Sequence, residues 1–440
     1  MKRRGQAAYV LHKLLASFWF VPGAMVVAGF AAAAGSLWAD AAGLSEVLRP
    51  LGPPFDIREA AAGSLLSTLA GAMVTVVSLV FSLTLVTLTV AAGNLGARLL
   101  ERYMQNTVTQ ITMGLFVGAF VFTVVVLSAI GSPPFFDVPR LSVVLALLLS
   151  IFSVAWLMYA FHDLARSLQI DQAAAAIARS LRQRIEAAAA GRTGDPAAAG
   201  ELPTGGACCT VTATSCGYLE AVDWEALGKL ASSGDLVVEV TAAQGDYLTP
   251  VDPLLTLHGR AEVDDELTAE LQRAFTVGDM RSDADDLMFL VHLLVEIAAR
   301  ALSPGINDIY TALACADHLT GSIARALECR LERITVRDRD GRLRVRTRSA
   351  DTARMIDTVF PALRRNGAHN VDFALRLAAS IERLAPLAAG HPVATTLLRN
   401  LDEIAGHAVA GVHEPDRAAI EAAHARARDA FARAGAADGT

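Results

Sequence analysis

Residues 60–97 read AAAGSLLSTLAGAMVTVVSLVFSLTLVTLTVAAGNLGA, 38 positions without one charged side chain. As a helix at 1.5 Å per residue this run would be roughly 57 Å long, well beyond a bilayer core of about 30 Å. It must tilt, kink or project past the membrane, and Gly93 and Gly96 mark its end. Similar uncharged runs cover Leu14–Ala39, Tyr103–Phe136 and Leu141–His162, each longer than the ~20 residues a membrane helix needs. Four transmembrane helices are therefore predicted, with spans at about 14–39, 61–92, 107–130 and 141–162. The first run follows Lys2, Arg3 and Arg4 and has a cleavage-like site at Ala31–Gly35. Its length, and the spans after it, favour an uncleaved helix over a signal peptide.

Composition agrees. Of 440 residues, 53% are hydrophobic and only 19% charged, and the mean hydropathy is +0.40, whereas soluble domains carry about a quarter charged residues. Disorder is excluded for most of the chain, and so is a small disulfide-stapled scaffold, because five cysteines are few and odd in number. A net charge of −7 argues against a nucleic-acid partner. Basic residues cluster before span one (Lys2, Arg3, Arg4, Lys13), between spans two and three (Arg98, Arg102) and after span four (Arg166, Arg179, Arg182, Arg184). The opposite side has only Arg49, Arg58 and Arg140. The positive-inside bias places both termini in the cytoplasm. Residues 1–162 carry a net charge of +3 and the remainder −10, so the cytoplasmic part is expected to hang away from anionic lipid.

Along the second span Gly71, Thr75, Ser78, Ser82 and Thr89 fall on one helical stripe. Two readings stand. The stripe can be a packing seam, with its hydroxyls bonded to backbone carbonyls one turn earlier. It can also be the wall of a water-filled path where several copies surround an axis. With the spans ending as above, none holds an Asp, Glu, Lys or Arg, which argues against a proton-coupled transporter. Gly114 and Gly118 form a GxxxG pair of the helix-packing kind. Trp19, Trp38 and Trp156 fit interfacial anchors, and His162-Asp163 an interfacial pair.

Beyond span four, 163–190 is predicted to extend that helix, 191–209 to be a linker, 210–260 a small β subdomain, 261–434 mainly helical, and 435–440 a tail. The strands are read at Val211–Thr214, Leu236–Val240 and Leu254–Leu257, with a helix at 223–231. Gly245-Asp246 is a turn, and Ile334–Val336 with Leu343–Val345 forms a hairpin around Asp340-Gly341. The stretch 245–255 is similar to the turn-and-strand pattern of lipoyl-like domains, but no lysine sits in it to carry a swinging arm. Helices are expected at 283–302 and 308–331, joined by Ser303-Pro304-Gly305-Ile306-Asn307. Pro304 stops the first, Gly305 permits a positive φ, and Asn307 or Asp308 caps the second. The block reads as a tight helix-hairpin turn, or as a ligand site made by Ser303, Pro304, Gly305, Asn307 and Asp308 at a helix N-terminus.

His292, Glu296 and His318 lie on helix faces away from the apolar positions, so a metal there is not expected. Asp279, Asp283, Asp285 and Asp286 lack the glycine and bidentate glutamate of an EF-hand. Cys208, Cys209 and Cys216 have no matching Cys or His pair in the sequence for zinc. Walker, GxGxxG and nucleophile-elbow patterns are also missing. No catalytic residue, metal or cofactor is assigned, and the chain is not expected to be an enzyme.

Asn94–Leu100 after span two, Phe161–Gln169 after span four and Ala301–Asp308 in the second half resemble the domain-of-unknown-function 2254 family of bacterial predicted membrane proteins. The likeness covers most of the chain. That family usually has Pro after the last Asp, where this chain has Ile309. The resemblance implies four spans and a cytoplasmic domain in the bacterial inner membrane, and supplies no activity. The expectation is a membrane α-helical domain of four helices plus a cytoplasmic α+β domain with helical hairpins. Its partners are the lipid bilayer, further copies of itself and an unidentified cytoplasmic ligand. The leading function is an oligomeric channel or transport-related assembly; the alternative is a non-conducting, membrane-tethered ligand-binding or scaffold protein.

Overall fold

A computed structural model of the chain describes residues 19–43, 58–95, 107–131, 138–167, 169–190, 207–260, 262–279, 281, 286–331, 333–348, 351–409 and 412–437. The chain divides into two compact units, residues 1–170 and 171–440. Residues 14–18 of the first expected span, Gly96–Leu100 of the motif after span two, and most of the expected linker lie outside the described residues.

The first unit holds four helices: α1 (Phe20–Ala41), α2 (Glu59–Leu95), α3 (Thr107–Ala129) and α4 (Arg140–Ser167). All four are long and apolar enough to cross a membrane. The third is the hub. In the most apolar window of each helix, 56% of α3 is buried, against 17% for α1, 17% for α2 and 28% for α4. Sequence sets this up through glycine, because a Cβ on Gly118 would lie 2.8 Å from the Met25 carbonyl oxygen. One on Gly114 would lie 3.0 Å from the Pro22 Cα, and one on Gly29 would collide with the Gly118 backbone. The GxxxG pair is thus the seam between α1 and α3. Phe116 and Ala119 of α3 pack with Met73 of α2, and Phe122 and Val126 join Ala33 of α1, Ala62 and Leu66 of α2, and Val143 and Ala146 of α4. Large apolar side chains such as Leu79, Phe81, Phe152 and Met158 remain exposed, as lipid-facing positions are. Trp19 and Trp38 are exposed near the ends of α1, while Trp156 donates through Nε1 to Thr112 Oγ1 at 3.0 Å.

One expectation changes here. The reading that the spans hold no ionisable side chain rested on ending the first at residue 39, starting the second at 61 and confining the fourth to 141–162, whereas the helices also take in Glu59, Arg140 and Asp163 near their ends. Helix α1 runs through Ala41 and carries Asp40 inside it, only 7% exposed. Its carboxylate accepts from Leu141 N (3.0 Å), Ser142 N (2.9 Å) and Ser142 Oγ (2.6 Å). Asp40 therefore caps the N-terminus of α4 from another helix, satisfying backbone donors that lack an intrahelical acceptor.

The helix after span four is not continuous: α4 ends at Ser167 and α5 (Ile170–Ala190) is a separate amphipathic helix burying Ala174, Ile177, Ala178, Leu181 and Ile185. The second unit continues as β1 (Cys208–Thr212), β2 (Gly217–Val222), α6 (Trp224–Ser233), β3 (Val237–Val240), β4 (Tyr247–Leu248), β5 (Pro253–His258), α7 (Asp265–Arg273) and β6 (Phe275–Gly278). Then come α8 (Leu287–Ala301), α9 (Ile309–Glu328), β7 (Thr335–Arg337), β8 (Leu343–Thr347), α10 (Asp351–Gly367), α11 (Val371–Ala388), α12 (Val393–Val409) and α13 (Glu414–Ala437). Two sheets form. One has the order β1-β5-β3-β8-β7 and the other β4-β2-β6. The expected hairpin at 334–345 exists as β7–β8, but it belongs to the larger sheet, because β8 pairs in parallel with β3. The β structure thus extends beyond 210–260. Leu227 and Ala231 of α6 and Val211, Leu219, Val238, Leu255, Leu257 and Val345 of the strands make its core.

The helical part is built on α8, which packs on α9 and α10; α11 packs against α9, α12 and α13. Val291, Leu294, Ala298 and Ala301 of α8 are buried as expected, yet Leu287 is only half-buried while Leu290, Leu293 and Ile297 are fully buried. A helix at the centre of a bundle buries more than one stripe.

Candidate functional site

The α2 stripe has a definite placement. Gly71, Thr75, Ser78, Ser82 and Thr89 are all exposed. The residues of α2 that pack inside the unit are Ala62, Leu66, Ala70, Met73, Val80 and Thr87. At 3.6 residues per turn the two sets lie about 170° apart around the helix axis. The stripe faces directly away from the other three helices, and Gly71 has open space where a Cβ would be. It is not a seam within this chain. Three hydroxyls give their protons to backbone carbonyls one turn back: Thr75 Oγ1 to Gly71 O (3.0 Å), Ser78 Oγ to Val74 O (3.0 Å) and Thr89 Oγ1 to Leu85 O (2.9 Å). With the protons committed, these oxygens present lone pairs outward.

The Ser303–Asp308 block joins α8 to α9. The residue with positive φ is Asn307 (φ +48°), not Gly305; asparagine tolerates the left-handed region because its short side chain can bond locally. Asp308 is the cap, accepting from Thr311 N (3.1 Å) and from Thr311 Oγ1 (2.6 Å). The Ser303 carbonyl accepts from Ile306 N and Asn307 N, and Asp308 N donates to Ala301 O. The backbone donors of the turn are largely used within it, and its own carboxylate occupies the helix N-terminus. Pro304 and Gly305 are exposed at the tip.

A larger concavity lies elsewhere in the second unit. A cleft of about 430 Å³ is lined by Arg184, Trp224, Gln244, Met288, Asp351 and Arg354, among others, a size suited to a small-molecule ligand. Its polar floor is built around Asp286, which is 2% exposed. One carboxylate oxygen caps α8 at Phe289 N (3.1 Å) and the other accepts from Arg281 Nε (2.7 Å). Arg281 also reaches His292 Nδ1 at 3.0 Å. Gly245, at φ +86°, backs this pair so closely that any Cβ there would meet both the Asp286 and Arg281 side chains. Arg354 Nη2 pairs with Asp246 Oδ1 at 3.3 Å. The site was not legible in the sequence, because its residues come from six separate stretches of chain.

Comparison with known proteins fits this architecture. A family described as predicted membrane proteins (DUF2254) matches residues 16–383. The chain belongs to this family. Uncharacterized proteins of Mycobacterium bovis and of Mycobacterium tuberculosis strain H37Rv are each 26% identical to it over 343 residues, covering 76% of this chain and 65% of the relative. The chain thus spans about two-thirds of the length of these relatives. No solved structure matches it. Two of the blocks that suggested DUF2254 now have places: Phe161–Gln169 covers the end of α4, and Ala301–Asp308 is the α8–α9 turn.

Among the described residues no group of three or more His, Cys, Asp or Glu is arranged to hold a metal ion. His318 is half-buried on α9, and burial, followed by the nearby Arg182, lowers its pKa. Of the three clustered thiols, Cys209 faces the core, whereas Cys208 and Cys216 are exposed.

Proposed function

We propose that this DUF2254 member forms an oligomeric channel or transport-related assembly in the bacterial cytoplasmic membrane, with its second unit acting as a regulatory domain on the cytoplasmic side. The observation that carries this reading is the α2 stripe, whose five small and hydroxylated residues face away from their own bundle. Copies arranged with α2 toward a common axis would line it with hydroxyl oxygens. Because the protons of Thr75, Ser78 and Thr89 are held by backbone carbonyls, those oxygens suit cations better than anions. The cytoplasmic placement rests on the basic flanks of the spans. Regulation rests on the cleft around Trp224, which combines an apolar wall with basic groups (Arg184, Arg354) and acidic ones (Asp286, Asp351). The same cleft favours a second reading, a non-conducting membrane-tethered protein that binds a small polar ligand.

Ion flux through purified protein in liposomes separates the two. The channel reading expects cation flux above that of empty vesicles, abolished by Thr75→Leu or Ser78→Leu in protein that remains folded. Absence of flux for both cations and anions refutes it and leaves the tethered protein.

A further inference from the structure

We propose that Cys208 is an activated thiol, positioned by His258 and Glu239 to form mixed disulfides with small disulfide molecules. The arrangement runs as a row across the larger sheet. Cys208 of β1 pairs in register with His258 of β5, and Glu239 of β3 pairs with Arg346 of β8. His258 is itself opposite Val237, two residues from Glu239, so the histidine and glutamate meet diagonally. Strand alternation puts all four on one face, because their neighbours Cys209, Leu257, Val238 and Val345 pack on the other side in the core.

The distances form a chain. Cys208 Sγ lies 3.5 Å from His258 Nδ1. His258 Nε2 lies 3.8 Å from Glu239 Oε2, within ion-pair range, and Glu239 Oε1 accepts from Arg346 Nη2 at 3.0 Å. Cys208 is exposed, while the His258 and Glu239 side chains are only 13% and 16% exposed. His258 Nε2 makes no hydrogen bond at that distance, so Glu239 stands beside it as a charge, and Nδ1 is the ring nitrogen placed to accept the thiol proton. A nucleophile, a base within reach and a third group that orients the base is the general layout of an activated thiol. Contacts of this kind are often loose before a reactant binds.

The step balances without another reagent. His258 Nδ1 takes the thiol proton, and the Cys208 thiolate attacks one sulfur of the small disulfide. A new S–S bond forms as the old one breaks, and the departing thiolate takes the proton from His258. Acyl transfer would further require donors aimed at an oxyanion. Disulfide exchange has no such requirement, which is why the small disulfide is the class assigned.

The test uses full-length reduced protein in detergent micelles, briefly exposed at neutral pH to the disulfide dithiobis(nitrobenzoate), with modification at each cysteine quantified by mass spectrometry. Cys216, exposed in the turn after β1, is the comparator. Cys208 is expected to react at least about fivefold faster than Cys216. His258→Ala should bring Cys208 down to the Cys216 rate without changing Cys216. Glu239→Gln, which keeps an oxygen to orient the ring, should retain more of the advantage than Glu239→Ala. Equal rates for Cys208 and Cys216 in the unaltered protein overturn the proposal, as does an undiminished advantage in His258→Ala. If that variant also exposes the buried Cys315 to the reagent, it has lost its fold, and the comparison passes to His258→Gln and to the unaltered protein.

Discussion

Replacing Asp40 tests the packing of the membrane unit at its most polar point. The carboxylate accepts three hydrogen bonds, two from backbone N–H groups in the first turn of α4 and one from the buried Ser142 hydroxyl. Asp40→Ala strands these donors where little water reaches. Leaving a buried donor unsatisfied costs about 1–3 kcal/mol, and losing an N-cap costs about 0.5–2 kcal/mol. The Ser142 hydroxyl can turn toward Ser36 Oγ, 2.9 Å away, and recover part of its loss. The expected destabilisation is therefore about 2–4 kcal/mol for Asp40→Ala. Asp40→Asn keeps one oxygen acceptor but gives up the charge at the helix N-terminus, so about 1–2 kcal/mol is expected. Ser142→Ala leaves both backbone bonds intact and should fall near 1 kcal/mol. Unfolding in mixed micelles of dodecyl maltoside and dodecyl sulfate, followed by tryptophan fluorescence, measures the effect. Trp19, Trp38 and Trp156 lie in this unit and only Trp224 outside it. A change below about 0.5 kcal/mol for Asp40→Ala, on the scale of ordinary surface substitutions, would refute the cross-helix cap.

Two other substitutions and one titration extend the reasoning. Gly118→Leu drives a side chain into the Met25 backbone and should cost about 1–3 kcal/mol or more in the same unfolding assay. Gly71→Leu, which enters open space, should leave the unfolding of a single chain unchanged while reducing any association through α2, read by light scattering in detergent. Cys315 is held protonated by burial, with Asp171 and Asp308 adding to the effect, so its thiol is pushed up to about 12. Between pH 9 and that value the unfolded chain loses this proton and the folded chain keeps it, so stability falls as pH rises through the window. Cys315→Ala should flatten that alkaline decline, as measured by urea unfolding of the second unit at pH 8 and pH 10.

Sequence determined the membrane unit most directly. Four uncharged runs place α1 to α4, since a backbone in hydrocarbon must satisfy its own hydrogen bonds and a helix does so within one segment. The β7–β8 hairpin, the Gly245 turn and the capping of α9 were also legible, because turn and cap chemistry is set by neighbouring residues. Resemblance in three short blocks was enough to place the chain in its family. Tertiary structure decided the rest. The direction faced by Gly71, Thr75, Ser78, Ser82 and Thr89 depends on where the other three helices sit, and a single amphipathic pattern is silent on that. Asp40 became a buried cap only when α4 was brought to it, 101 residues along the chain. The cleft around Trp224 and the Cys208–His258–Glu239 row join strands and helices far apart in sequence, His258 lying 50 residues beyond Cys208. Such sites come from long-range strand and helix pairing, which is fixed by the burial of a shared core and leaves no local spacing to read.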